Sequence, residues 1–454
     1  MIPEAFLLRM QKMPELDFDA FCTALEQPAV RALRVNTLKA NTDTVRALLP
    51  FSTKPLPFSD NGFYAPLDKV GGLAAHHAGM FYMQDPGAIS SVAAAAPQSG
   101  ITVLDMCAAP GGKSTQLAAA IAPDGVLVCN EYVPARCKIL QGNVERLGCR
   151  AAVVTNLSTD QLADFYGSYF DLVVADVPCS GEGMLRKYEV AGEEWSEENI
   201  HLCAERGWDI LQNAARCVKP GGRLLYSTCT FAPEENEWQI DRFLCEHSDF
   251  SLVPVAPEIL NITANGVNFE GISHDMRACR RFYPHVSPGE GQFVALLQRS
   301  KDADPVPACA DNGAAPSKKD AQTVQNFLAQ TLEALPDHRL VQIRDDIYLS
   351  PRIPLPPRGI FAAGVCVGTL QKGRLVPHHQ FFSAYGSDFK RKLSLSQNDP
   401  RVAAYLRGEE IAAPELNAGN GFAALLYEGA PLGGGKAVDG RLKNHYPKGL
   451  RNRA

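Results

Sequence analysis

Between Gly100 and Gln298 short apolar runs alternate with glycine-bearing turns and helical stretches. ITVLDM (101–106) leads into a Gly-rich turn and a helix opening near Lys113, and GVLVCNE (125–131) leads into helical spacing over 134–147. AAVVTN (151–156), FDLVVADV (170–177) and GGRLLYSTC (221–229) are further strand-like runs, with a long helix over 197–217 before the last. QFVALLQ (292–298) is a final apolar strand expected to close the sheet. Runs this apolar need cover on both faces, and strands separated by helices run parallel. The pattern therefore predicts an α/β sheet with helices on both sides. Parallel strands all end on one edge, and ligands of such sheets bind outside that edge.

The first turn on that edge is LDMCAAPGGKSTQLA (104–118), which joins strand to helix through Cys107, Ala108, Ala109, Pro110, Gly111 and Gly112. Small residues allow close backbone approach to a ligand, and the helix that opens at Lys113 offers unpaired N–H groups. Glu131, at the end of the next strand, stands where a carboxylate takes both hydroxyls of a ribose. The GKS at 112–114 resembles the end of a triphosphate loop, but Cys107 replaces its first glycine. Pro110 also removes an N–H that a phosphate cradle uses, which weighs against a nucleotide triphosphatase.

Thirteen cysteines lie singly along the chain, and no C-x-x-C pair occurs. Structural zinc needs such pairs, so no metal is expected. Two cysteines stand out by placement. Asp176, Pro178 and Cys179 follow one buried strand, and Thr228, Cys229 and Thr230 follow another. Both loops should emerge beside the Gly-rich turn, because parallel strands point one way. Position alone leaves the two thiols equivalent.

CAAPGGK (107–113), DVPCSGEG (176–183) and YSTCTFAPEENE (226–237) resemble the signature motifs of the Sun-type RNA 5-methylcytosine methyltransferases. RALRVNTLK (31–39), YMQDPGA (82–88) and RRFYPHVSPGEGQFVALLQR (280–299) are similar to stretches flanking and closing that catalytic domain. GGGKAVDGRLKNHYPKGLR (433–451) resembles the C-terminal domain of the RsmF type, which acts on small-subunit ribosomal RNA, and RGIFAAGVCVGTLQKGRLVPHHQ (358–380) resembles the segment before it.

The resemblance implies a Rossmann-like, S-adenosylmethionine-dependent methyltransferase sheet, a small N-terminal α+β domain and a C-terminal RNA-binding, PUA-like region. It implies that Cys229 adds to carbon 6 of cytosine, which makes carbon 5 nucleophilic toward the methyl group. Cys179 then helps release the product. It assigns the cofactor to residues 107–113 (Cys107 to Lys113), Glu131 to the ribose, and Asp176 to cofactor and base. Asn156 replaces a family aspartate on the adenine side. Arg136, one turn into the following helix, is expected to help hold the cofactor. DNA cytosine methyltransferases attack instead with the cysteine after the proline, so the paired cysteines favour RNA.

A chain of 454 residues exceeds one ordinary core. The expected units are 1–95, a catalytic domain over 96–300, a linker over 301–320 (KDADPVPACADNGAAPSKKD) and an RNA-binding region over 321–454. The net charge of −6 does not announce a nucleic-acid binder. The tail does, with Lys436, Arg441, Lys443, Lys448, Arg451 and Arg453 against Asp439. Arg34 and Asn36, Lys390 to Lys392, and Lys443, His445, Tyr446 and Lys448 are expected to meet RNA through phosphate, sugar or stacking. The tail is expected to raise RNA affinity without touching the chemistry. No apolar run has membrane length and no secretory signal is evident, so a cytoplasmic location is expected. Transfer RNA is an alternative substrate, and a catalytically silent ribosome-assembly factor an alternative role.

Overall fold

The computed structural model describes residues 2–66, 70–287, 289–416 and 419–452; Arg453 of the basic tail lies outside them. Its centre is a ten-stranded sheet. The strands Ala152–Thr155, Val126–Asn130, Thr102–Asp105, Phe170–Asp176 and Val218–Thr228 lie side by side and parallel. Their inner residues are the β-branched and apolar ones, among them Val103, Val128, Val153, Val173 and Leu224, all fully buried. Burial on both faces explains why these runs do not alternate with polar residues.

Chain order runs outward from Thr102–Asp105 to Ala152–Thr155, then jumps back to Phe170–Asp176 on the other side. The reversal opens a crevice between Asp105 and Asp176, where ligands of such sheets sit. The helix Gly112–Ile121 starts there from Gly111 at φ +110°, a left-handed conformation that a side chain rarely adopts.

The sheet does not end where the sequence suggested. Gln292–Arg299 pairs antiparallel with Val218–Thr228, but Arg280–Phe282 and Ala264–Asn265 continue beyond it. The opposite edge is covered by Ile360–Ala363, antiparallel to Ala152–Thr155. Residues 321–454 are thus not a separate body, because one of their strands completes the catalytic sheet. An uncovered Ala152–Thr155 would be an apolar edge open to pairing with other chains. Regular structure also resumes inside the span read as linker: Ser317 caps the helix Lys318–Thr331.

The N-terminal part holds an antiparallel sheet, with Ala32–Val35 between Ser59–Tyr64 and Phe81–Gln84. Its core is shared with the C-terminal part, Leu33, Val35 and Phe81 clustering with Leu393, Tyr405 and Leu425. The helix Pro86–Ala95 packs on the catalytic sheet instead, Ile89 and Val92 joining Val103 and Leu297. Among the described residues no helix is long and apolar enough to cross a membrane.

Three residues expected to meet RNA serve as internal joints. Arg34 is fully buried and donates to the carbonyl of Gly112 at 3.3 Å and to Thr115 Oγ1 at 2.9 Å. Asn36, equally buried, donates to the carbonyls of Gly79 and Leu147, both at 2.8 Å. Tyr446 is 2% exposed, with its hydroxyl 2.7 Å from His77 Nδ1, so its ring has no free face for a base. In each case the polar group meets a partner distant in sequence, which local pattern cannot show. Lys390 and Lys392 stay at the surface, bonded there to the carbonyl of Ala329 and to Glu333. Lys443 and Lys448 remain exposed.

Candidate active site

A two-lobed cleft occupies the crevice. The larger lobe, about 730 Å³, is lined by Met106, Glu131, Tyr132, Ile210, Cys179 and Cys229. The smaller, about 390 Å³, is lined by Gln84, Asp85, Asp105, Gly112, Lys113 and Lys187. Cys107, Ala109 and Asp176 border both.

The Gly-rich turn is braced from three sides. Ser114 Oγ donates to Asp105 Oδ2 at 2.6 Å, Arg136 Nη2 to the carbonyl of Ala109 at 3.0 Å, and Asn143 Nδ2 to that of Pro110 at 2.9 Å. A Cβ on Gly112 would lie 3.3 Å from Gln84 and Tyr82, so the turn approaches the N-terminal strand as closely as glycine permits. Asp105 is buried, and its Oδ1 has no hydrogen-bond partner among the described residues. Burial pushes its carboxyl up to about 7, against the lowering bond from Ser114.

Glu131 Oε1 accepts from the amide of Val133 at 2.9 Å, and its Oε2 lies 3.5 Å from Arg136 Nη1. Arg136 therefore links the glutamate to the Gly-rich turn. Asn156 lies outside both lobes. Its Nδ2 donates to the carbonyls of Glu131 and Tyr132, each at 2.7 Å, and its amide donates to Gly359, also at 2.7 Å. It holds the turn beneath Glu131 rather than offering those donors to an adenine.

The cleft suits a cationic nucleoside. Asp105, Glu131 and Asp176 supply carboxyl groups, one with an unsatisfied oxygen, while Met106, Val177 and Ile210 supply apolar wall. Cys107, Ala108, Ala109, Pro110 and Lys113 face the lobes, with Gly111 behind them at the turn.

Asp176 sits at the junction, accepting from Lys113 Nζ at 2.7 Å and from Ser227 Oγ at 2.6 Å. Burial drives the Lys113 ammonium down, but Asp176 overcomes this and its pKa is raised. The two cysteines meet: their Sγ atoms are 3.3 Å apart, and the amide of Cys229 donates to Cys179 Sγ at 3.2 Å. The Cys229 contact, with burial, pushes the Cys179 thiol well above its ordinary value.

Sequence reasoning missed the residues that lock these loops together. Glu182 Oε2 accepts from Thr230 Oγ1 at 3.0 Å and the amide of Phe231 at 3.1 Å, both beside Cys229. Glu235 accepts from the amide of Ser180 at 2.9 Å and lies 2.5 Å from its hydroxyl, beside Cys179. Each loop's carboxyl thus holds the other loop. The signal was an acid inside each short loop, in GEG and in PEE. The N-terminal helices press on the same loop, with Phe6 and Phe21 packed on Phe231 and Arg9 bonded to both oxygens of Glu234.

One mixed trio elsewhere brings three potential metal ligands together, Asp241, Cys245 and His274. Asp241 Oδ1 already accepts from the amides of Ser273 and His274 and contacts His274 Nδ1, as a loop clamp does.

Three family models match in order along the chain. Residues 2–86 match the N-terminal domain of 16S rRNA methyltransferase RsmF, residues 92–298 the 16S rRNA methyltransferase RsmB/F family, and residues 392–452 the methyltransferase RsmF PUA domain. Ribosomal RNA small subunit methyltransferase F of Vibrio vulnificus is 31% identical over 471 residues, covering 99% of this chain and 97% of its own. Its counterpart in Vibrio parahaemolyticus is 32% identical over 475 residues with the same coverage. A methyltransferase homolog protein from Pyrococcus horikoshii superposes with TM-score 0.54 at 27% identity, over 66% of this chain and 100% of that one. NSun6 from the same organism shares the fold at TM-score 0.56 and 19% identity, over 66% and 99% of the two chains. With the Rossmann-like sheet, the cofactor-sized cleft and full-length relatives in agreement, the chain belongs to the RsmB/F family of S-adenosylmethionine-dependent 16S rRNA methyltransferases, in its RsmF type.

Proposed function

We propose that this enzyme methylates carbon 5 of a cytosine in small-subunit ribosomal RNA, in the cytoplasm, through a covalent bond between Cys229 and the base. The observation that carries the reading is the meeting of Cys179 and Cys229, at 3.3 Å, in a lobe that Asp176 also borders. A reaction at a ring nitrogen or a ribose hydroxyl needs no thiol pair. Carbon 5 of cytosine is a poor nucleophile and needs a thiolate to add at carbon 6 first.

The cofactor supplies the methyl group. Residues 107–113 form its floor and Glu131 takes the ribose, with Arg136 and Asn156 holding Glu131 in place. Asp176 accepts from the exocyclic amino group of cytosine, which selects cytosine over uracil. Lys113 Nζ, bonded to Asp176 Oδ2, holds that carboxylate in place for the task. Cys229 adds to carbon 6, electron density moves to carbon 5, and that carbon is methylated. A base then takes the carbon 5 proton, and the electron pair of that C–H bond restores the double bond as the thiolate leaves. Cys179 retains its proton and donates S–H to the Cys229 sulfur, both before attack and as it departs. The base must be out of its stack to reach this cleft.

The test is incubation with small-subunit ribosomal RNA and S-adenosylmethionine, then nucleoside analysis by mass spectrometry. New 5-methylcytidine in that RNA is expected. A methyl group on any other atom, or methylation of transfer RNA alone, overturns the proposal.

A further inference from the structure

The two carboxyls that lock the cysteine loops are joined by a chain of hydroxyls. Glu235 Oε1 lies 2.5 Å from Ser180 Oγ, which lies 2.8 Å from Thr230 Oγ1, which lies 3.0 Å from Glu182 Oε2. These three oxygen–oxygen contacts each need a hydrogen, and the two hydroxyls supply one apiece. With both glutamates ionised, one contact would set lone pair against lone pair. A buried polar contact of that kind is costly.

The third hydrogen has one place to sit. Glu182 faces an N–H donor at each oxygen, Trp195 Nε1 at 2.9 Å on Oε1 and the Phe231 amide at 3.1 Å on Oε2. A proton on either would oppose a donor. Glu235 Oε2 accepts from the Ser180 amide, but among the described residues Oε1 meets only the Ser180 hydroxyl. We propose that Glu235 carries a proton on Oε1 and acts, through Ser180, Thr230 and an ionised Glu182, as a positioning residue that fixes Cys179 against Cys229.

The hydroxyl directions then run one way, Glu235 to Ser180 to Thr230 to Glu182. The amide of Ala232 donates to Thr230 Oγ1 at 3.3 Å, which agrees with Thr230 giving its own hydrogen to Glu182. The surroundings favour the same assignment. Burial pushes Glu235 up to about 7, with Glu182 and Glu234 adding to this against the bonds from Ser180. Burial raises Glu182 too, but there the bonds from Trp195, Thr230 and the Phe231 amide and the charge of Arg9 oppose it. Arg9 is bonded to Glu234 and also lies near Glu182, so its charge steadies the two that stay ionised. Cys179, Cys203 and Tyr226 also feel the charge of Glu235, and all three are held toward their neutral forms. Net charge behind the cysteines is thereby one unit less negative than the carboxyl count suggests.

The inference uses the reading of Cys229 and Cys179 only for its activity measurement; its spectroscopic arm stands without it. Glu235→Gln puts an N–H where the acid proton was, so it should fold and methylate within about threefold of wild type. Glu182→Gln sets an amide N–H against Trp195 or Phe231, and Glu235→Ala breaks the chain. Both should lose roughly 10²-fold, the scale of a displaced catalytic group. Below neutral pH, the infrared difference spectrum between wild type and Glu235→Gln should show the C=O stretch of a buried carboxylic acid in wild type. The pH dependence of methylation set by this group should be flat in Glu235→Gln. The proposal is overturned by any of three results: no such band, a Glu235→Gln protein that misfolds, or equal damage from Glu235→Gln and Glu182→Gln. If no variant or wild type methylates RNA but the band is present, the functional reading fails and the shared-proton clamp stands.

Discussion

The Sγ atoms of Cys179 and Cys229 lie 3.3 Å apart, while the amide of Cys229 is spent on Cys179 Sγ. The geometry is asymmetric: Cys179 Sγ accepts the backbone hydrogen bond of Cys229, and the Cys229 contact with burial raises the Cys179 thiol well above its ordinary value. This asymmetry is in keeping with the proposed division, attack by Cys229 and release by Cys179.

The division predicts opposite phenotypes. Cys229→Ala removes the nucleophile and should lower methylation by more than about 10⁴-fold, with no covalent RNA adduct. Cys179→Ala should still attack but fail to let go, leaving protein crosslinked to RNA. A denaturing gel after incubation with cofactor and RNA separates the two. Adducts from Cys229→Ala and none from Cys179→Ala would exchange the roles.

Asp105 predicts a pH dependence of cofactor affinity. Burial raises its carboxyl to about 7, with Asp176 adding to the rise and Ser114 opposing it. The free protein therefore holds this proton up to about neutrality, and a cationic cofactor must displace it. Affinity should climb as pH rises toward about 7 and level off above, by up to tenfold per pH unit. The same shift makes stability fall as pH rises from the unfolded value of 3.8 through about 7. Calorimetric titration of S-adenosylmethionine across this range is the measurement. Asp105→Asn should flatten the profile, and a flat wild-type profile would count against the assignment.

The Lys113–Asp176 pair separates stability from chemistry. Lys113 is nearly buried and Asp176 partly exposed, with side-chain exposures of 11% and 29%. Asp176→Asn strands the ammonium and should cost about 3 kcal/mol, the low end for a broken buried pair because water reaches Asp176. Adding Lys113→Met should return most of that stability without restoring methylation. Urea unfolding of the single and double variants tests this, and additive losses would refute it.

What could be read from the chain was whatever lay in one strand or one strand end. Val173 and Leu224 announce buried strands by composition, and the positions of Cys179 and Cys229 follow from strand polarity alone. The remainder depends on partners far apart in sequence. Arg34 reads as a solvent-facing cation until Gly112 and Thr115 close over it. Tyr446 reads as a stacking ring until His77 takes its hydroxyl. Asn156 reads as an adenine contact until the carbonyls of Glu131 and Tyr132 take its amide hydrogens. Hydrophobic periodicity identifies a strand such as Ile360–Ala363 but does not say which sheet it joins.

That strand yields the last prediction. Removing residues 321–454 was expected to weaken RNA binding alone, but it also strips Ile360–Ala363 from Ala152–Thr155 and Leu393, Tyr405 and Leu425 from Leu33 and Phe81. The truncated chain would expose a flat apolar edge beside a half-open core, a combination that aggregates. It would also free Asn156 from the carbonyl of Gly359, loosening the turn under Glu131. Residues 1–320 should therefore be insoluble or oligomeric by size-exclusion chromatography. Any soluble fraction should bind S-adenosylmethionine more weakly by calorimetry, even with no RNA present. A milder change, Lys443→Ala with Lys448→Ala, leaves both joints intact and should reduce only RNA affinity and its salt dependence. A monomeric 1–320 fragment with wild-type cofactor affinity would show that the C-terminal region is an accessory to binding and not part of the catalytic sheet's stability.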